Sequence, residues 1–258
     1  MSYIDTHTHL YSEYYPDNLD VVVKRAIAAD VEKMILPAVN PNSIKDIFEV
    51  ANRYPNHLFP LVGLHPTDVL PNYMPQLEAI EPYLDDEGIV GIGEIGLDLY
   101  HSKEYIVQQE AVFDIQLGWA KDLQLPMSIH IRDAYAEAIA VISRYKGTSF
   151  SGVFHCFSGG IQEAKWAVDN GFLLGVSGVV TYKKSKLPEI LKEVGLENIV
   201  LETDSPFLAP EPFRGKGNES GYIPYIAEKL STIFDVSIEE IAQVTTQNAL
   251  KVFPKLCV

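Results

Sequence analysis

Tyr3-Ile4-Asp5-Thr6-His7-Thr8-His9-Leu10 opens as a strand and ends on two histidines one residue apart. Side chains alternate along a strand with period two, so His7 and His9 point to one side, Thr8 to the other, and one ion can meet both imidazoles. Asp5 lies on the same face and is expected to accept a hydrogen bond from a ring N–H, fixing its tautomer. Short apolar runs of this kind recur near Tyr3–Thr6, Lys33–Val39, Leu58–Gly63, Ile89–Gly93, Pro126–His130, Gly152–His155, Phe172–Val176 and Ile199–Thr203, with longer amphipathic stretches between them. That alternation predicts parallel strands covered by helices, and eight strands close a barrel. The expected architecture is α/β, a (β/α)8 TIM barrel with an additional C-terminal helix. A single domain over residues 1–258 is expected, since 258 residues match the roughly 250 typical of one such barrel.

The stretches between strands carry apolar stripes at helical spacing. Leu19, Val22, Val23, Ala26 and Ile27 form the first, Phe113, Leu117 and Ala120 the fourth, and both are expected to pack on the barrel wall. Two helical segments follow the eighth strand, Tyr222–Phe234 and Ser237–Val252, the second opened by a Ser237…Glu240 capping box. Pro and Gly mark loops, and neither a repeat nor a linker divides the chain.

Hydrophobic residues make up 47 %, yet no apolar run reaches the roughly 20 residues of a membrane span. No basic and apolar leader precedes the first strand, and two cysteines, Cys156 and Cys257, do not make a disulfide framework. A soluble, cytoplasmic monomer is the expectation. The net charge of −15 has the wrong sign for gripping nucleic acid by an overall field, so a phosphate-bearing substrate must be drawn in locally.

Active sites of such barrels lie at the carboxyl ends of the strands. Those ends carry His7 and His9 (first), Glu94 (fourth), His130 (fifth), His155 (sixth) and Asp204 (eighth), whereas His57, before the third strand, falls at the opposite end. Six ligand-type residues exceed what one catalytic zinc-like ion takes from protein, so two divalent ions are expected, bridged by Glu94. Asp204 is placed both to ligate and to act as general base on the attacking water. Glu202, two residues earlier, fits a supporting role or a purely structural one. Cys156 should turn away from the site as a buried apolar residue. Lys183, Lys184 and Lys186, and then Arg214-Gly215-Lys216-Gly217-Asn218, concentrate positive charge after the last two strands, where barrels often bind phosphate; the first group fits a solvated loop as readily.

The ordered set IDTHTHL (Ile4–Leu10), GLHP (Gly63–Pro66), GEIGLD (Gly93–Asp98), IHIRDA (Ile129–Ala134), HCFSG (His155–Gly159), LETDSP (Leu201–Pro206) and RGKGNES (Arg214–Ser220) resembles the TatD family of metal-dependent deoxyribonucleases, nearly end to end. The resemblance implies a divalent-metal site on His7, His9, Glu94, His130, His155 and Asp204, with glutamate where related amidohydrolase barrels often carry a carbamylated lysine. It further implies that His65, Arg132, Arg214 and Lys216 contact substrate. Thr67, Ile131 and Ser220 depart from the family pattern without touching the ligand set.

The implied chemistry is in-line attack of an activated water on a DNA phosphodiester, with Asp204 handling its proton and two divalent ions, Mg²⁺, Mn²⁺ or Zn²⁺, stabilising charge. A concave barrel mouth favours single strands or frayed ends over duplex. The rival activity is hydrolysis of an amide or ester, such as aminoacyl-tRNA deacylation, because the same water-activating site serves both. A non-catalytic metal-binding barrel is the other rival, disfavoured because the ligand set is complete.

Overall fold

The computed structural model describes residues 2–257. Its strands are β1 (Tyr3–Asp5), β2 (Val31–Pro37), β3 (Leu58–Val62), β4 (Gly91–Asp98), β5 (Met127–Arg132), β6 (Gly152–Phe154), β7 (Phe172–Val176) and β8 (Ile199–Leu201). They pair in parallel in chain order, β1 through β8. The remaining seam is closed just beyond the strand ends: the Thr6 backbone N–H and hydroxyl both donate to the Leu201 carbonyl, Asp204 N–H donates to His7, and His9 N–H to Ser205. Eight parallel strands therefore form a nearly closed barrel of the expected TIM type.

Helices α1 (Leu19–Ala28), α2 (Pro41–Arg53), α3 (Met74–Ile80), α4 (Ile106–Leu123), α5 (Tyr135–Ile142), α6 (Ile161–Asp169), α7 (Leu187–Val194) and α8 (Ile223–Phe234) follow the strands one by one, and α9 (Ile238–Val252) is the additional one. The α1 stripe buries Leu19, Val22, Val23 and Ala26, and that of α4 buries Phe113, Leu117 and Ala120, as their spacing predicts. Gln109 and Gln116 are buried on the same side of α4 and serve the backbone there. The Gln116 amide accepts from Leu64 N–H and donates to Leu64 C=O, and Gln109 does the same for Asp98, satisfying peptide groups at the mouth that no strand pairs. The segment that carries His65 is thereby tied to the helix layer.

The two ends of the barrel differ. Ile35, Leu61, Val153 and Val200 pack with Phe253 and Leu256, from the turn after α9, in an apolar cluster that plugs the amino end. The carboxyl end stays open as the mouth.

β4 and β5 run further than their apolar runs suggest. β4 was expected to stop before Glu94, but Ile95 and Leu97 continue to pair with Ile129 and Ile131, after a register shift between Ile92 and Ile95. Glu94 thus sits inside a strand, at the irregularity, and the true strand end is Asp98. Gly96, at φ 136°, makes this approach feasible: a Cβ there would lie 2.0 Å from the His130 carbonyl oxygen.

Candidate metal centre

Glu94 organises the mouth. Its Oε2 lies 3.3 Å from His7 Nε2 and 3.7 Å from His9 Nε2, while its Oε1 lies 3.0 Å from His130 Nδ1 and 3.3 Å from both His65 Nε2 and His155 Nε2. Asp204 completes the first side, its Oδ1 3.3 Å from His9 Nε2 and 3.9 Å from His7 Nε2. Three groups have ligand atoms close enough to share an ion: His7, His9 and Glu94; His7, His155 and Asp204; His65, Glu94 and His130. All six strand-end residues converge, and His65, expected as a substrate contact, stands in the same cluster. Imidazole nitrogens and carboxylate oxygens packed this closely are the donor set a borderline divalent ion takes, and they fit one.

The outer ring nitrogens explain how the inner ones are aimed. The Tyr11 hydroxyl donates to the Pro37 carbonyl, so at 3.1 Å its oxygen accepts from His9 Nδ1–H, and the His9 Nε2 lone pair is left facing the cluster. His7 Nδ1 lies 2.9 Å from Ser128 Oγ. His130 turns Nε2 outward to Asp98 Oδ2 at 3.0 Å, with Nδ1 on Glu94. Asp5 does not take the tautomer-fixing role expected of it. Its carboxylate accepts from the Thr203 hydroxyl and backbone N–H and from the His7 backbone N–H, so it pins β1 to the chain after β8.

Glu202 is fully buried, its Oε1 3.2 Å from His155 Nδ1, without the alignment of a hydrogen bond. Gly175 makes the space, since a Cβ there would meet Glu202 Oε2 at 2.2 Å. Cys156 departs from the apolar role expected. β6 has ended at Phe154, and with φ 45° at Cys156 the strand alternation no longer applies. The thiol lies 3.4 Å from Ser177 Oγ, and the backbone N–H donates to Glu202. Burial and the charges of Asp204 and Glu202 raise its pKa well above the usual thiol value, so it stays neutral.

The electrostatics of the ion-free cluster follow from burial set against neighbouring charge. Burial, assisted by the charge of His155, lowers the His7 pKa to about 3. Burial would lower that of His155 too, but the carboxylates of Glu202 and Glu94 outweigh it and raise the value to about 10. Burial pushes Glu94 upward, yet His65, His7 and His155 together hold it well below the carboxylate range. Asp204 likewise stays low, because burial is overcome by the hydrogen bond with His9 and the charge of His155.

A cleft of about 570 Å³ opens over the cluster, lined also by Tyr14, His101, Arg132, Phe207 and Leu208. Arg132 is thus on the cleft wall. Arg214 instead rests its guanidinium over the Tyr182 ring at 4.3 Å, and neither it nor Lys216, Lys183, Lys184 or Lys186 lines the cleft. Asp98, which receives His130 and His101, is not marked by the apolar run of β4, which stops before Glu94 while the strand itself continues to Asp98; Tyr11 and Ser128 carry no pattern that marks them.

A model of the family described as TatD related DNase matches residues 4–254. The chain is 36 % identical over 250 residues to the uncharacterized metal-dependent hydrolase YabD of Bacillus subtilis, covering 96 % of this chain and 98 % of that protein. It is 31 % identical over 255 residues to the 3'-5' ssDNA/RNA exonuclease TatD of Salmonella typhimurium, covering 96 % and 98 %. Among solved structures, YJJV, a TatD homologue from Escherichia coli K12, superposes with a TM-score of 0.90 at 29 % identity over 98 % of both chains.

Proposed function

The chain belongs to the TatD family of metal-dependent hydrolases, and from that membership we propose that it hydrolyses phosphodiester bonds of DNA, on single strands or frayed ends, with two divalent ions sharing Glu94. The observation that carries this reading is the division of Glu94, whose two carboxylate oxygens face different imidazole sets. The Salmonella relative's name, an exonuclease on single strands, supports the substrate class.

His7, His9 and Asp204 with Glu94 would hold one ion, and His65, His130 and His155 with Glu94 the other. Divalent ions so bound supply Lewis acidity to the phosphoryl oxygens and acidify a coordinated water. The chain's own part begins with Asp204, kept ionised by His9 and His155, with Oδ1 turned to His9. Its carboxylate takes the proton as the water oxygen bonds to phosphorus and the phosphorus–oxygen bond to the leaving nucleotide breaks; that proton then passes to the leaving oxygen. Arg132 in the cleft offers positive charge to a phosphate there, and Arg214 and Lys216, in the loop after β8, would meet phosphates further along the strand. We further place the protein in the cytoplasm as a monomer, in keeping with its two free cysteines.

The test removes metal with chelator, restores Mg²⁺, Mn²⁺ or Zn²⁺ separately, and follows end-labelled single-stranded DNA beside Asp204→Asn. A metal-restored ladder that the variant lacks supports the assignment. Cleavage of esters or amides in place of DNA, with any metal, would overturn it.

A further inference from the structure

Hydrolysing a phosphodiester does not by itself require the aromatic wall that flanks the cluster. Phe207, just after β8, and Tyr14, after β1, stand with ring centroids 5.8 Å apart and planes at 77°, and Phe207 lies 6.0 Å from the His9 ring. Rings of this size are normally buried, yet Phe207 is 48 % and Tyr14 41 % exposed, and both face the cleft. β1 and β8 adjoin in the closed barrel, so the two rings form one wall; β4 and β5, half-way round the eight-stranded order, form the other. That opposite wall carries Arg132, its guanidinium 3.8 Å above the exposed Tyr100 ring. Of the five arginines, Arg25, Arg53 and Arg144 pair with carboxylates, whereas Arg132 and Arg214 have none within ion-pair range among the described residues. The cleft is thus aromatic on one side, with two rings set nearly at right angles, and cationic without a counter-charge on the other, with the histidine and carboxylate cluster between.

Building on the phosphodiester reading, we propose that Phe207 and Tyr14 are the seat of an unpaired nucleobase at the end of a strand, stacked next to the scissile phosphate while Arg132 takes the neighbouring phosphate. A ring face repels a bare phosphate but stacks on any base, whatever the sequence. A short acyl or peptide substrate would use neither the paired rings nor the unpaired guanidinium. A base within a duplex has both faces covered by its neighbours and cannot occupy this wall, so the platform selects unpaired ends.

The experiment compares two oligonucleotides of equal length, one with a base and one abasic at the terminal position, on metal-loaded wild type, Phe207→Ala and Phe207→Trp. Stacking is worth about 5- to 150-fold per base, so wild type and Phe207→Trp should prefer the base-bearing end in kcat/KM by a factor in that range, and Phe207→Ala should lose the preference. A second readout needs no turnover: in chelator, a terminal 2-aminopurine should be quenched on binding wild type and not on binding Phe207→Ala. Equal base preference in wild type and Phe207→Ala, or equal quenching, overturns the platform. If wild type cleaves neither oligonucleotide yet quenches 2-aminopurine through Phe207, the platform stands and the phosphodiester reading falls.

Discussion

Metal binding to this protein should release a proton that belongs to His155. The imidazole lies between two buried carboxylates, Glu94 at 3.3 Å and Glu202 at 3.2 Å, and in the ion-free protein these hold its pKa near 10. At pH 7.5 His155 is then almost wholly an imidazolium, with no lone pair for an ion, whereas His7, at about 3, is already neutral. An ion that takes His155 Nε2 must expel that proton, against a gap of roughly 2.5 pH units, on the order of 3 kcal/mol. The sign is fixed: affinity rises with pH, about tenfold per unit between pH 7 and 9, and levels off above the His155 pKa. Calorimetric titration with Mn²⁺ at pH 7.5 in phosphate and in Tris, buffers of different ionisation enthalpy, should give heats that differ by about one proton's worth of ionisation. Glu202→Gln removes the larger of the two charges that raise the His155 pKa, so less than one proton should be released and the pH slope should flatten. Equal heats in the two buffers, or an unchanged proton count in Glu202→Gln, would refute the reasoning.

Tyr11→Phe deletes the oxygen that accepts from His9 Nδ1–H and should weaken metal binding about 10- to 100-fold with little loss of folding stability, read by titration of metal against urea midpoints. Arg132→Ala should raise KM for single-stranded DNA and lower the slope of log affinity against log salt by about 0.7, one phosphate contact, measured by anisotropy across salt concentrations. Phe253→Ala empties a fully buried site at the closed end of the barrel and should cost about 3–5 kcal/mol by denaturant unfolding while the activity per folded molecule is kept.

What the sequence makes legible here is whatever follows from one strand taken alone. Period-two alternation and the rule that barrel chemistry sits at strand ends suffice to draw out His7, His9, Glu94, His130, His155 and Asp204, because each lies close to the carboxyl end of its own strand or, for Glu94, at the irregularity within it. The groups that aim those ligands lie elsewhere in the chain. Ser128 meets His7 across 121 positions, and Glu202 meets His155 across a gap that only the pairing of β6, β7 and β8 closes. Asp5 illustrates the limit from the other side: alternation places it on the His7 and His9 face, but the strand alone does not reveal that its partner is Thr203, brought in by closure of the barrel. Local charge density is a weak guide for the same reason. Lys183, Lys184 and Lys186, which fit a solvated loop as readily as a phosphate site, do not line the cleft, whereas Arg132, named through the family resemblance and not through any charge run, does.

The acidic chain and the polyanionic substrate are reconciled by where its cations are spent. A net charge of −15 repels any nucleic acid lying along the body of the barrel, and screening at physiological salt confines attraction to groups within about 8 Å. The flank arginines are neutralised by Glu219, Asp20, Glu110 and Asp114, so they offer a passing strand nothing. Arg132 and Arg214 lie at the mouth, supported by tyrosine rings, which hold a guanidinium in place without cancelling its charge. The unpaired charge of Arg132 and Arg214 is offered at the mouth, while a long duplex, most of whose phosphates must stay outside, meets the net negative charge of the body as repulsion along its length. A strand end, which brings one or two phosphates and an uncovered base, gains the contacts without that penalty, and selectivity for ends then follows from the charge distribution even before the base is read.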